Sequence, residues 1–461
     1  MTLFIFLTKF AIETAVNRNM SRTIKIKRGL DIPLEGPASG RIEEIKARKT
    51  GMVPDDFQGF VWKCDVKEGD EVTVGSPLLH DKLTGRLKVV SPIDGKVEKI
   101  VRGERRKIMA VVVAATKVSA EKISYDLSRH PEAIRKTLHE SGLWVMMRQR
   151  PFDVIPDPDS EPRDVFVTGF DSSPLAPVLF NKQDIPQIET GLEILEILTG
   201  KTPYIATGSK FTYEFKHAEN LKVDGPHPAG NVGVQIGKIK PVNKGETVWA
   251  LNVETVMRIG RLYNGESNLW NTLVAITGPA AKDPHMVETT IGVSLEEILK
   301  GAYDKEENVR VISGNVLTGK KENPETGFLR YPYYQITLLP EGNDADEFMG
   351  WASLSPKKFS VKRTFPAFLK GLNKPFPFDA RIKGGRRAMI LSGEYDKVFP
   401  FDIYPEYLIR SMLSGDIDRM EKLGIYEVAP EDFALPEFVD TSKMELQKLV
   451  RENLDRVRSE E

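Results

Sequence analysis

The sequence predicts a multidomain α+β protein, and three observations carry that expectation. Its 461 residues exceed what one hydrophobic core usually serves. The first quarter reads as short strands divided by Gly turns, and the middle as strands alternating with helices. After about Gly385 the pattern turns mainly helical.

Taken in order, "TLFIFLTKFAIETAVNRN" (Thr2 to Asn19) is apolar but shorter than the roughly 20 residues a membrane span needs, and Lys9 and Glu13 interrupt it. It lacks the basic start and small-residue cleavage site of a signal peptide. Residues 1–19 are therefore expected to be an extension upstream of a start at Met20. Residues 20–117 are expected to form one sandwich. "TIKIKRG" alternates as a half-buried strand does, "VKEGDEVTVGSPLL" is strand, turn, strand, turn, strand, and "KVVSPIDGKVEKIVRGERRKIMAVVVAA" repeats the design with turns at Asp94-Gly95 and Arg102-Gly103. Two such halves suit a lipoyl-like barrel-sandwich of two similar four-stranded sheets. In lipoyl and biotinyl domains the carrier lysine stands at a hairpin tip, eight residues before the proline of the returning repeat. Counting back from Pro92 lands on Thr84, followed by Gly85, and places Lys82 on the strand. A threonine cannot form the amide, so no covalently bound cofactor is expected.

Residues 118–262 read as a Rossmann-like α/β domain. "PEAIRKTLHESG" opens on Pro and stops on Gly142. "RDVFVTGF" is a strand, "DIPQIETGLEILEILTG" a helix, "TPYIAT" a strand, and "GETVWALNVETVMRIGRLYNG" continues as a helix. Residues 263–379 suggest a β-grasp module of the soluble-ligand-binding (SLBB-like) type, from "NTLVAITGP", "MVETTIGVSLEEILKGA" and "NVRVISGNVLTG". The Pro- and Gly-rich stretch 370–385 reads as a linker. Residues 380–461 form a helical C-terminal domain, with Leu446, Leu449, Val450, Leu454 and Val457 on one stripe.

A formal net charge of -1 argues against a nucleic-acid partner. Cys64, the only cysteine, excludes an intrachain disulfide, thiolate-ligated zinc or an Fe–S cluster held by this chain alone, and fits a reducing compartment. The six histidines show no metal-ligand spacing. No nucleophile–base motif, paired carboxylates or P-loop is evident, so no catalytic residue is expected. "DGPHPAGNVG", with Gly225, His227 and Gly230, is either a ligand loop or a rigid turn packing two domains. "RGERRK" (102–107) is either a solvated hairpin or a basic contact for lipid phosphates or an acidic partner.

Six stretches, in order, carry a resemblance: "TIKIKRGLDIPLEG", "SPIDGKVEKIVRGERR", "ESGLWVMMRQRPFDVIPDPDSEPRDVFVTGFDSSPLA", "DGPHPAGNVG", "VRVISGNVLTG" and "EVAPEDFALPEFVD". From about Thr23 to its end the chain resembles the A subunits of sodium-translocating NADH:quinone oxidoreductases, the NqrA family. The resemblance implies a peripheral subunit on the cytoplasmic side of the cell inner membrane. It would be held there by five other subunits, B to F, in a complex that oxidises NADH, reduces ubiquinone and pumps Na+ out of the cell. FAD, a [2Fe–2S] centre and covalent FMN are then expected on partner subunits, and quinone is the small molecule associated with this one. The fold is also akin to the FMN- and NADH-binding electron-input subunits of complex I and Rnf, which gives one alternative; a structural scaffold binding no small molecule is another. Where those relatives carry a glycine-rich nucleotide loop, this chain has "SGLWVMMRQRPF". As a quinone slot, Trp144 and Phe152 would stack on the ring, Met146 and Met147 would adapt around it, and Arg148 or Arg150 would donate to a carbonyl. Alternatively the same residues fill a vacated site as core, with the arginines in ion pairs.

Overall fold

The structure, a computed structural model, describes residues 21–119, 121, 123–343, 358–361 and 374–460. The extension 1–19 and part of the expected linker lie outside the described residues. No described helix is long and apolar enough to cross a membrane.

The sandwich has unequal halves, four strands against three. One sheet orders Lys49–Met52, Ile108–Ala115, Gly95–Arg102 and Glu71–Val72; the other orders Trp62–Cys64, Pro77–Asp81 and Lys88–Val90. Alternate residues such as Val72, Leu79, Val89, Val97, Val111 and Val113 point inward and are buried. At the hairpin tip the Asp81 carboxylate accepts from the backbone N–H of Thr84 (2.6 Å) and Leu87 (2.9 Å). This cap ends the strand at Asp81, so Lys82 opens the turn rather than lying on the strand, and Thr84 stands exposed in it.

The α/β domain is built on a six-stranded sheet in the order Arg22–Lys25, Glu219–Asp224, Tyr204–Gly208, Asp164–Thr168, Val248–Asn252 and Arg148–Arg150. All neighbours are parallel except the last pair. Two corrections follow. Val248–Asn252 is a strand, not the start of a helix. Its first four residues are buried, and a short apolar run covered on both faces carries no periodicity to tell strand from helix. The segment around Thr23 belongs to this sheet, not to the sandwich. Helices Ile185–Thr199 and Val253–Tyr263 cover one face and meet at two glycines. A Cβ on Gly260 would lie 1.8 Å from the Gln187 carbonyl oxygen, and one on Gly191 2.1 Å from that of Val256.

The third unit is a mixed sheet ordering Lys320–Glu322, Val309–Ser313, Gln335–Pro340, Asn271–Thr277, His285–Thr290 and Ile42–Glu44, with the short helix Leu295–Ile298 packed on it. Its last strand again comes from the N-terminal segment, parallel to His285–Thr290. The C-terminal helices Pro405–Ser414 and Leu446–Glu460 bury Leu408, Ile409, Met412, Leu446, Val450, Leu454 and Val457 in one core with Phe152, Phe166 and Val248 of the α/β domain.

Candidate functional site

In the parallel sheet the spatial order of strands runs third, second, first, fourth, counted from Asp164–Thr168 as the first. The winding reverses between Asp164–Thr168 and Val248–Asn252, and a crevice opens at the carboxyl ends of strands at such a reversal. Thr168 and Asn252, the last residues of these two strands, line a cleft of about 390 Å³. Every unit contributes to its wall: Asp55 and Asp56 from the sandwich, Phe170, Asp171 and His227 from the α/β domain, Tyr331 to Gln335 from the mixed sheet, and Glu431 and Arg451 from the C-terminal region.

The loop ahead of helix Val232–Ile239 is both a packing turn and a wall of this cleft. Gly225 has φ +143, and a Cβ there would lie 2.3 Å from the Ile26 carbonyl oxygen, so only glycine lets the loop close on the backbone that leaves strand Arg22–Lys25. A Cβ on Gly230 would come within 2.6 Å of the Ser172 nitrogen. His227, 3% exposed, is fixed through its backbone N–H to Asp31 (2.9 Å) and through Nδ1, 3.0 Å from the Ser172 hydroxyl. That hydroxyl accepts from Gly230 N–H at 2.8 Å. Nε2 of His227, the Ser173 hydroxyl and Oε1 of Gln335 are buried without a partner among the described residues. The three residues stand in the cleft wall with the rings of Phe170, Tyr331, Tyr333 and Tyr334, and these three atoms lie just beneath its surface.

One helix end beside the cleft already faces a carboxylate. The N-terminus of a helix attracts an anion through its free N–H groups and its dipole. At helix Val232–Ile239 the anion is the chain's own: a Cβ on Gly233 would lie 2.8 Å from both carboxylate oxygens of Asp432. Asp432 is 1% exposed, accepts from Ala429 N–H (2.8 Å) and pairs with Arg150 (3.1 Å).

The six residues of the predicted quinone slot do not line one cavity. Trp144 is fully buried, edge-on to Trp249 (5.1 Å) and His139 (4.5 Å), and its Nε1 donates to the Pro156 carbonyl (2.9 Å). Met147 lies in the same core. Phe152 belongs to a different core, edge-on to Tyr426 at 6.0 Å. Arg150 is taken up by Glu431 (2.8 Å) and Asp432. Only Met146 and Arg148 border the cleft. Arg148 donates to the carbonyls of Val145, Met147 and Asp56, with its guanidinium 5.6 Å from the Tyr331 ring centre. The single slot is thus corrected to two cores and a rim, because the stretch passes between two packed layers. Asp171, Ser173, Tyr334, Gln335 and Glu431 were missed. For Asp171 and Ser173 the available signal was "GFDSSP" directly after strand Asp164–Thr168, since ligands meet such sheets at strand carboxyl ends. Tyr334, Gln335 and Glu431 come from other units and carry no such signal.

Burial pushes His139 and His227 down to about 4, against an ordinary 6.5. Both are neutral in the folded protein at neutral pH, whereas the unfolded chain takes up their protons below about 6.5. This contribution is complete above 6.5 and is lost as pH falls toward 4, at about 1.4 kcal/mol per pH unit for each histidine. Urea titrations from pH 7 to 4 are expected to show a shallower fall for His139→Gln and His227→Gln than for the unaltered chain. Equal slopes would contradict it.

Fold and cleft together define a multidomain chain with a Rossmann-like α/β unit and a cleft at the carboxyl ends of its strands. Comparison with known proteins makes the assignment specific. The NqrA N-terminal barrel-sandwich hybrid domain matches residues 24–116, the NqrA second alpha/beta domain residues 129–266, and the NQRA C-terminal domain residues 273–323. Similar relatives are the Na(+)-translocating NADH-quinone reductase subunits A of Vibrio anguillarum, Saccharophagus degradans and Neisseria meningitidis serogroup C. They are 36%, 35% and 35% identical, each over 95% of this chain and 100% of the relative. The chain belongs to the NqrA family. A crystal structure of an NAD+-reducing [NiFe]-hydrogenase in the air-oxidized state covers 72% of this chain and 67% of its own, at 12% identity and a TM-score of 0.36, a likeness too loose to bear on function.

Proposed function

We propose that this chain is the peripheral A subunit of a complex that oxidises NADH, reduces ubiquinone and moves Na+ out of the cell. It lies on the cytoplasmic side of the inner membrane and is held there by five partner subunits, B to F. FAD, the [2Fe–2S] centre and covalent FMN sit on those partners; this chain has no redox cofactor and is not catalytic alone. The observation that carries this reading over an FMN- and NADH-binding one is Asp432. With the Asp432 carboxylate against the N-terminus of helix Val232–Ile239, which borders the cleft, a ligand phosphate there would meet like charge.

A quinone head fits this reading as an uncharged occupant of the cleft. It would lie among the tyrosines with Met146 and Arg148 at the rim, and a small shift of the wall would let its carbonyl accept from Nε2 of His227, which lies unpartnered beneath the surface. Trp144, Met147, Arg150 and Phe152 then act as the supports behind that wall. The test is titration of the purified chain with a short-chain ubiquinone, followed by tryptophan fluorescence, beside FMN as a control. Saturable quinone binding, weakened about tenfold in folded His227→Ala, is the expected result. Tight FMN binding would return the chain to the electron-input class. Absence of either ligand would leave it a scaffold subunit.

A further inference from the structure

A second groove, of about 1020 Å³, adjoins the cleft and shares Asp55, Gln58, Lys320 and Arg451 with it. It runs along the sandwich between the strand Trp62–Cys64, the turn joining Gly95–Arg102 to Ile108–Ala115, and the C-terminal helix. Two independent features of this groove point to the same kind of occupant.

The first is an open sheet edge. Among the described residues, Trp62–Cys64 ends its three-stranded sheet and pairs only with Pro77–Asp81. Lys82 N–H donates to the Val61 carbonyl at 2.8 Å, and Asp65 N–H to the Leu78 carbonyl at 3.0 Å. In an antiparallel ladder these bonds fall on alternate residues. Odd-numbered residues therefore face the neighbouring strand, while Trp62 and Cys64 turn their N–H and C=O groups to the groove, where no described residue pairs with them. An edge of this kind is a template for a further strand. Beside it Phe60 and Trp62 are half-buried with ring centres 6.3 Å apart, and Val61 is 68% exposed.

The second feature is charge. Lys107 pairs with Asp55 (2.8 Å), Lys320 with Asp56 (3.3 Å) and Arg451 with Asp455 (2.7 Å). Lys63, Arg102 and Arg106 line the same groove, are exposed, and have no acidic partner among the described residues. A single lysine on an edge strand is an ordinary guard against aggregation. Three cations without acidic partners among the described residues, one on the edge strand and two at the hairpin end across the groove, are more than a guard requires.

We propose that this groove takes up an extended acidic segment of a partner polypeptide as an additional strand on Trp62–Cys64. Its backbone pairs with Trp62 and Cys64, alternate side chains lie on Phe60 and Trp62, and its carboxylates meet Lys63, Arg102 and Arg106. The backbone bonds give affinity, and the charges give register and choice of partner.

The test uses the full chain and a fluorescein-labelled octapeptide of alternating Glu and Val, read by fluorescence anisotropy. Saturable binding is expected, weakening several-fold between low and physiological salt. A version carrying Pro in place of each Val cannot pair as a strand and is expected to bind at least tenfold more weakly. The double variant Lys63→Glu with Arg102→Glu is expected to lose at least tenfold for the Glu–Val peptide while keeping its unfolding midpoint, both residues being exposed. Equal binding of the Pro peptide would reduce the site to charge alone and overturn strand addition. Unchanged affinity in the double variant, or no saturable binding by the folded chain, would overturn the surface. So would flotation of the chain with vesicles containing phosphatidylglycerol that depends on Lys63 and Arg102, because the occupant would then be lipid.

Discussion

Replacing Arg150 with methionine is expected to remove about 3–5 kcal/mol of stability and to free the C-terminal region from the α/β sheet. Arg150 is 1% exposed and lies on the edge strand of that sheet, while its two carboxylate partners stand on the segment between helices Pro405–Ser414 and Leu446–Glu460. Burial opposes the charge of Arg150, but Asp432, Asp153 and Glu431 outweigh it and hold the guanidinium charged. Burial likewise pushes the Asp432 carboxyl up, with Arg150 the main opposing influence. Methionine keeps much of the volume and leaves Asp432 buried without its cation, which is the costly half of breaking such a pair. The measurements are the urea midpoint and limited proteolysis between residues 385 and 445. A companion variant, Arg150→Met with Asp432→Leu, is expected to recover a large part of the loss, since an apolar pair of similar size can replace a buried ion pair. If Arg150→Met alone unfolds at the original midpoint, the latch has no energetic role.

Gly260→Ala is the second large effect, expected to exceed the ~1–3 kcal/mol of ordinary overpacking. The new methyl would stand 1.8 Å from the Gln187 carbonyl oxygen, and the obstacle is backbone rather than the movable end of a side chain. Helices Ile185–Thr199 and Val253–Tyr263 would have to part along their whole contact, disturbing Ile188, Leu192, Val256 and Ile259, all buried between them and the sheet. Alanine normally favours a helix over glycine by up to ~1 kcal/mol, so the sign of the result is diagnostic. A fall in the unfolding midpoint is expected, and a rise would show that the helices are not in contact at Gly260.

Much of this fold was legible because its elements carry their own periodicity and punctuation. The helix Ile185–Thr199 stops on Gly200 at φ +65, and Pro131–Glu140 gives way to Gly142 at φ +78, where a left-handed residue closes the turn. The sandwich announced itself by repeated turns. What stayed hidden was pairing over long distances. Nothing in "RTIK" shows that it joins Glu219–Asp224, nor in "IEE" that it joins His285–Thr290. The site was half legible for the same reason. His227 and Gly230 were noticed for their loop, and Met146 and Arg148 for their chemistry. Asp432, by contrast, acquires meaning only from Gly233 and Arg150, which are remote from it in the chain.

The N-terminal segment of about 30 residues stitches three units in succession. Arg22–Lys25 borders the α/β sheet, Ile42–Glu44 borders the mixed sheet, and Lys49–Met52 begins the sandwich. During synthesis the first of these leaves the ribosome about 200 residues before its partner Glu219–Asp224, and the second about 240 before His285–Thr290. The sandwich, whose strands all lie between Lys49 and Ala115, can close while both tethers still hang free. Pairing is therefore ordered in time: the strands of the sandwich are all made first, its core is completed by Ile134, Leu138 and Trp144 that follow, and its leader borders the later sheets only as each is finished. A recombinant fragment that starts beyond residue 47 would leave two sheet borders bare, so the later modules are not separable pieces that can be expressed one by one.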